Sequence, residues 1–148
     1  MVSRRSSRML ASLTLLLAVV LSAGAPTLAS AKSRPKVIVT PSHSLRAGQT
    51  VKVAGNGFTP GDSVYVVECM ATAKDSTGCD IATAIPATIT AKGALAPTKI
   101  KIVTGVVGNG TCGTTNANLK SCAISVGNVT GGDSGVARIT FAPHKVKK

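Results

Sequence analysis

An all-β fold is predicted by three features of the sequence: short apolar stretches that alternate as strands do, turn residues between them, and the lack of a segment with helical periodicity after residue 31. Seven short strands with Gly- and Pro-rich turns are typical of an antiparallel sandwich or barrel of the immunoglobulin type. The predicted strands are residues 37–40, 50–54, 63–69, 87–91, 98–103, 121–126 and 136–141.

Alternation separates two faces on several of these strands. In the second strand, TVKVA, polar and apolar residues alternate, and in the third, SVYVVEC, Val64 and Val66 alternate with Tyr65 and Val67. Successive side chains of a strand point to opposite faces of its sheet. We therefore expect one face of each strand to enter a core.

The fifth strand, TKIKIV, gives the same signal most clearly. Ile100 and Ile102 are expected to face the core, while Lys99 and Lys101 face water. The fourth, sixth and seventh strands read ATITA, SCAISV and VARITF. Turn signals separate the seven stretches, at Ala47-Gly48, Gly55-Asn56-Gly57, Pro60-Gly61, Lys92-Gly93, Gly108-Asn109-Gly110 and Gly131-Gly132.

Four cysteines form two pairs with equal spacing, Cys69 with Cys79 and Cys112 with Cys122. Four cysteines allow three connectivities, and local pairing is favoured because each pair encloses a loop that begins or ends at a strand. Each local bridge would contribute about 2–3 kcal/mol by limiting the unfolded chain. A tetrahedral zinc site is the alternative, although the C-x-x-C spacing common in such sites is lacking.

The N-terminus predicts a signal peptide at residues 1–31. Three arginines precede an apolar run, residues 9–21, that is too short for a convincing membrane span, and the A-x-A motif Ala29-Ser30-Ala31 follows. We expect cleavage before Lys32 and an extracellular, disulfide-permissive destination. The strongly apolar run favours the general secretory route, while the pair Arg4-Arg5 leaves a twin-arginine route open.

The mature chain, residues 32–148, is predicted to be one domain and a monomer, with its core at about residues 36–142 and a basic C-terminal tail. Its formal charge is +9, because three of the 17 basic residues and none of the five acidic ones lie in residues 1–31. Such a charge favours anionic partners, including nucleic acid and wall polymers. A helix-turn-helix pattern and RNA-binding aromatic motifs are both lacking, so any DNA binding is expected to be non-specific.

Neither a carboxylate pair nor a phosphate-binding loop indicates an enzyme, so catalytic residues and a metal site are not expected. The core is expected to be small and aliphatic, because the chain contains one Tyr, two Phe and no Trp. Disulfides would compensate for the limited area that such side chains bury.

The segment of residues 39–61 and several motifs that follow it occur in an order that resembles a known family. The run from Val39-Thr40-Pro41 through GQTVKVAGNGFTPG, then Val66-Val67-Glu68-Cys69, the three later cysteines and the ending GVARITF, resembles the neocarzinostatin family. Members of this family are apoproteins of enediyne antitumour antibiotics from actinomycetes. The resemblance covers roughly residues 36–142.

This resemblance implies a seven-stranded immunoglobulin-like barrel with two local disulfides. It also implies a carrier without enzymatic activity, whose cleft between the barrel and a two-stranded ribbon holds a non-covalent chromophore. The chromophore is shielded from water and delivered to DNA, which links the family to antibacterial activity. A cofactor beyond this chromophore is not expected.

The ligand-binding residues implied by the resemblance lie in the third strand, in the loop of residues 70–78 between Cys69 and Cys79, which we call the cysteine loop, and in later loops. They are Val67, Glu68, Cys69, Met70, Ala71, Cys79, Ala84, Val106, Val107, Ser125 and Asn128. The Cys69–Cys79 bridge would line the floor of the cleft, and Glu68 would place a negative charge near the ligand.

Several of these positions depart from the family pattern. Ala71 and Ala84 stand where the best-known member has Trp and Phe, Val67 replaces a usual Gly, Glu68 replaces a usual Gln, and residues 104–111 replace a stretch that carries aromatic residues. These changes argue against tight binding of the same polycyclic ligand. Two alternatives stay open: the ribbon and loop residues cap the barrel end, or the chain is a ligand-free module that binds anionic polymers or the cell envelope.

Overall fold

The computed structural model describes residues 34–145, so the predicted signal peptide and the last three residues lie outside the described residues. Within this range the secondary structure consists of strands and three single-turn 3₁₀ helices, at Ser76–Gly78, Ile81–Thr83 and Asn116–Asn118. The strands are β1 (Lys36–Thr40), β2 (Thr50–Asn56), β3 (Ser63–Met70), β4 (Ile85–Thr88), β5 (Ala94–Lys101), β6 (Gly105–Val107), β7 (Gly110–Cys112), β8 (Cys122–Gly127) and β9 (Ser134–Arg138).

Seven of these strands form two antiparallel sheets, one in the order β1-β2-β5 and the other in the order β4-β3-β8-β9. Strand β1 also lies beside β9, and β4 beside β5, so the sheets approach each other at both edges. The remaining two strands, β6 and β7, form a separate ribbon. The predicted all-β immunoglobulin-like sandwich is thus confirmed, with nine strands in place of seven.

Several strand limits differ from the prediction because burial continues beyond the hydrogen-bonded ladders. Ile89, Ile102 and Ile139 are buried in the core although each lies just outside β4, β5 or β9. Their backbone N–H groups donate to Asp62, Gln49 and Cys122 carbonyls, respectively. Apolar periodicity reports which side chains are buried, and burial does not require a ladder partner.

The core lies between the two sheets and is built almost wholly from aliphatic side chains, as predicted. Ile100 and Ile102 are buried, while Lys99 and Lys101 are exposed, in agreement with the alternation expected for the fifth strand. Phe58 and Phe141 are the aromatic residues of this core, and Phe141 forms a β-bridge with Leu45.

Both disulfides are local, which confirms the predicted pairing. Cys69 and Cys79 have Cα atoms 3.9 Å apart, and Cys112 and Cys122 have Cα atoms 5.8 Å apart. Because all four sulfurs are in disulfides, none of them offers a thiolate to zinc. The first bridge ties the segment after β3 to that strand, and the second ties the ribbon to β8.

The turn of the β6–β7 ribbon packs directly on the backbone near Cys79. Gly108 has a φ of +54°, and a Cβ built there would overlap backbone atoms of Thr77, Gly78 and Cys79. The absence of a side chain at this position therefore lets the ribbon contact the cysteine loop.

We expect Gly108→Ala to destabilise the protein more than Gly48→Ala. Gly48 has a φ of +73° and no heavy atom within 4 Å of the position that a Cβ would occupy. Its substitution should cost about 1–2 kcal/mol from backbone strain alone, whereas Gly108→Ala should add about 1–3 kcal/mol of overpacking. Urea unfolding of both variants measures the difference, and equal costs would contradict the close packing of the ribbon.

Candidate functional site

A cleft of about 740 Å³ lies on the outward face of the four-stranded sheet. Its floor comes from alternate residues of β3, β8 and β9, and its walls come from the segment after β3 and from the β8–β9 loop. The lining residues are Tyr65, Val67, Cys69, Met70, Ala71, Ala73, Lys74, Asp75, Ser76, Cys79, Ile81, Ala84, Ser125, Gly127, Asn128, Val129, Gly131, Ser134 and Val136.

Strand register arranges the floor in rows that cross the sheet. Val67 pairs with Ser125, which in turn pairs with Val136, and these three residues form one row. The adjacent row contains Tyr65, Gly127 and Ser134. Because residues two apart on a strand share a face, the rows lie side by side and make a continuous surface.

The first wall follows β3 and is held against it by the Cys69–Cys79 disulfide. The Asp80 N–H donates to the Glu68 carbonyl at 2.9 Å, and the Ala71 N–H donates to the Ser121 carbonyl at 2.7 Å. The Asp75 side chain accepts hydrogen bonds from the Thr77 N–H and hydroxyl, which lowers the pKa of Asp75. This wall is therefore covalently and locally fixed.

The opposite wall is the β8–β9 loop, which is joined to the β2–β3 turn. Asn128 Nδ2 donates to Asp62 Oδ2 at 3.0 Å, and the buried carboxylate of Asp133 accepts from the Thr59 N–H. The Asn128 N–H also donates to the Asp133 carbonyl at 3.1 Å. These bonds hold Val129 at the rim of the cleft.

Exposed apolar side chains concentrate at this cleft. The structure places seven large hydrophobic residues at the surface among residues 34–145, and four of them line the cleft. These four are Tyr65, Ile81, Val129 and Val136, with exposed fractions of 42%, 56%, 85% and 60%. A contiguous exposed apolar patch is typical of a binding surface, whereas single exposed residues are ordinary.

Eight of the eleven residues predicted to bind ligand line the cleft: Val67, Cys69, Met70, Ala71, Cys79, Ala84, Ser125 and Asn128. The sulfur of Met70 also packs 3.9 Å and 3.8 Å from the sulfurs of Cys112 and Cys122. Ala71 and Ala84, where the resemblance implied aromatic residues, widen this cleft.

The other three predicted residues lie elsewhere. Glu68 follows Val67 on β3 and is fully buried on the opposite side of the strand, so its carboxyl is not at the cleft. Val107 is buried in the core and Val106 is 75% exposed on the β6–β7 ribbon, away from the cleft lining. The resemblance implied that the two-stranded ribbon forms one side of the cleft. In the structure the cysteine loop forms that wall, so Val106 and Val107 of the ribbon do not line the cleft.

Sequence reasoning missed several lining residues, notably Tyr65, Val129, Ser134 and Val136. Alternation had placed Tyr65 on the face opposite Val64 and Val66, which is the cleft face. That signal could have identified Tyr65, because a residue two positions before Val67 must share its face. Val129 lies in a loop, where periodicity gives no signal.

Glu68 is a buried carboxyl with incomplete hydrogen bonding. Its Oε2 accepts from the Val103 N–H at 2.8 Å, while Oε1 has no hydrogen-bond partner among residues 34–145. Burial raises the pKa of Glu68 from 4.5 to about 7; the Val103 bond opposes this shift, and the nearby charge of Asp80 adds to it. The carboxyl also lies within 4.8 Å of the sulfurs of Cys112 and Cys122, which are bonded to each other.

Residues 37–141 match the sequence profile of the Neocarzinostatin family. The chain belongs to this family. Macromomycin from Streptomyces macromomyceticus is 37% identical to the chain over 113 residues, which cover 73% of the chain and 77% of macromomycin. The family comprises chromophore carriers without enzymatic activity, in agreement with the carrier class implied by the resemblance.

The solved structure of macromomycin shares the fold. It aligns with a TM-score of 0.57 at 30% identity and covers 73% of this chain and 99% of its own. The solution structure of apokedarcidin aligns with a TM-score of 0.48 at 27% identity, over 74% of this chain and 99% of its own. Among residues 34–145, no helix has the length and apolar character needed to cross a bilayer.

The buried Glu68 predicts a pH dependence of stability. Between pH 4.5 and about pH 7 the unfolded chain ionises this carboxyl while the folded chain retains the proton, so stability falls as pH rises. The loss should be on the order of 3 kcal/mol. Glu68→Gln should match wild type near pH 4 and exceed it in stability at pH 8, as measured by urea unfolding at each pH.

Asp75→Asn is the control for this measurement. Asp75 is exposed and its pKa is lowered, not raised. The control should therefore retain the wild-type fall in stability between pH 4.5 and pH 7. A Glu68→Gln variant that shows the same fall would assign the pH dependence to other groups.

Proposed function

We propose that this chain is an exported carrier that binds a small apolar molecule non-covalently in the cleft and shields it from water. The observation that carries the proposal is the concentration of exposed apolar side chains around a concave site of about 740 Å³. Sites for small molecules are usually concave, largely apolar and within this size range. Membership of a chromophore-carrier family supports the same function.

The lining favours binding by burial of apolar area over aromatic stacking. Tyr65 is the one aromatic residue among the lining residues, and the floor otherwise consists of Val, Ser, Gly and Cys. Burial contributes about 25 cal/mol per Å² of apolar surface. A cargo with a bulky, mainly aliphatic body therefore fits this site better than a flat polycycle that needs several stacking partners.

In this proposal the protein forms and breaks no covalent bond with its cargo. Antibacterial or DNA-directed activity, as associated with the enediyne chromophores of the family, would belong to the bound molecule. The few polar groups at the cleft, such as the hydroxyls of Ser125 and Ser134 and the ammonium of Lys74, would orient the cargo.

The alternative function, a ligand-free module that binds anionic polymers through its basic C-terminal tail, has less structural support. Two of the three lysines in this tail, Lys147 and Lys148, lie outside the described residues, and Lys145 is the last residue described. The tail segment that is described is tied down, because the His144 N–H donates to Asn116 Oδ1 at 2.9 Å and the His144 ring bonds the Gly113 carbonyl at 2.9 Å. Its contacts are structural ones.

We expect Ala71→Trp to reduce binding of Nile red, a neutral apolar dye, at least tenfold relative to wild type. The indole would occupy the cleft and remove the volume that the dye needs. Fluorescence titration measures the affinity. Ala96→Trp is the matched control, because Ala96 is exposed on β5 in the other sheet; equal affinities in both variants would remove the cleft from consideration.

Native mass spectrometry of the protein purified from culture medium tests the carrier function directly. A small molecule that co-purifies with wild type and is lost from Ala71→Trp supports it. The same spectra test export, since the secreted species should begin at Lys32 and carry two disulfides. A species that retains residues 1–31 would contradict the predicted signal peptide.

A further inference from the structure

The outward face of the β1-β2-β5 sheet carries four exposed lysines. We call this surface the lysine face and define it by Lys36, Lys52, Lys99 and Lys101. Each lysine lies next to a buried residue on its strand, so alternation directs the four side chains away from the core. The lysine face and the cleft lie on the outward faces of different sheets, and no residue belongs to both.

The charge on the lysine face is not balanced within its own sheet. The acidic residues of the chain are Asp62, Glu68, Asp75, Asp80 and Asp133, and none of them lies in β1, β2 or β5. Lys52 pairs directly with Lys99 across the β2–β5 ladder. Like charges in directly opposite positions repel each other, so a bound anion would be stabilising here.

Register places the lysines along a diagonal stripe. Lys101 lies opposite Thr50, Lys99 lies opposite Lys52, and Lys36 lies opposite Asn56. At about 3.3 Å per residue, the positions from Thr50 to Asn56 span about 20 Å along β2. Lys99 and Lys101, two residues apart, are therefore about 7 Å apart along β5.

The chemistry of the face selects among anionic partners. Lysine presents point charges without the forked geometry that reads bases, and the strands of this sheet carry no aromatic residue on which bases could stack. Ile38 is the one large apolar residue that this face exposes among the described residues, which is little for insertion into a lipid surface. The face therefore suits a line of phosphates.

We propose that the lysine face binds the phosphate backbone of duplex DNA without reading its sequence. A duplex is stiff over about 150 base pairs, so it presents phosphates at fixed spacing without the ordering cost that a flexible polyanion would incur. Lysine contacts release condensed counterions, which makes the affinity fall with salt. This site is independent of the cargo and of the carrier function.

Fluorescence anisotropy with a labelled 20-base-pair duplex, from 50 to 200 mM NaCl, tests the proposal. With two to four phosphates engaged, the slope of log affinity against log salt should be about −2 to −4. The double variant Lys52→Gln/Lys99→Gln should lose about ten-fold in affinity at 50 mM salt and make the slope about 2 less steep. A second variant, Lys36→Gln/Lys101→Gln, should act likewise.

Lys92→Gln/Lys120→Gln is the matched control, because it removes the same charge from exposed positions outside the lysine face. It should leave the slope close to that of wild type. Equal losses in the face and control variants would overturn the proposal by assigning binding to net charge. Thermal unfolding and Nile red titration establish that each variant is folded.

Two other ligands complete the experiment. Single-stranded poly(dT) of 20 nucleotides should bind more weakly than the duplex, and tighter binding would overturn the choice of a stiff partner.

Vesicles of phosphatidylcholine and phosphatidylglycerol should bind face and control variants alike. Vesicle binding that requires the lysine face, together with unchanged duplex binding in the face variants, would assign the surface to lipid and overturn the proposal.

Discussion

The structure depends on the side-chain alternation of β3, the strand that serves both the core and the cleft. Val64 and Val66 fill the core from one face, while Tyr65, Val67 and Cys69 form the cleft floor from the other. A shift of one residue in its register would exchange the two sets and place the disulfide inside the core. The burial of this strand on both sides therefore fixes fold and site together.

Glu68 shows the cost of this double role. Its place in the alternation assigns it to the core, where burial favours the protonated form of a carboxyl. The Val103 N–H satisfies one oxygen, and the segment that follows β5 is thereby joined to β3. The resemblance implied that Glu68 binds ligand, but its carboxyl faces away from the cleft, because proximity along the chain does not give the face of a strand.

The sequence was sufficient for the architecture and, through the resemblance, for eight of the nineteen residues that line the cleft, and the reasons are physical. The burial of Ile100 and Ile102 follows from strand alternation, and the pairing of the cysteines follows from the closure of short loops. Both effects are local in the sequence. Whether Val106, Val107 and Val129 line the cleft depends on which loop packs against which sheet. That choice depends on contacts between segments distant in the chain, as where the ribbon turn at Gly108 meets the cysteine loop.

The double link between the β2–β3 turn and the β8–β9 loop constrains how this protein can diversify. The Asp62 carboxylate accepts a hydrogen bond from Asn128, and the Asp133 carboxylate accepts one from the Thr59 N–H. The conformation of the turn and that of the loop therefore depend on each other. An insertion in one segment would displace its anchoring carboxylate unless the second changed length to match. Variation at this rim of the cleft is therefore expected to be paired, whereas the exposed Val129 between the anchors can change alone.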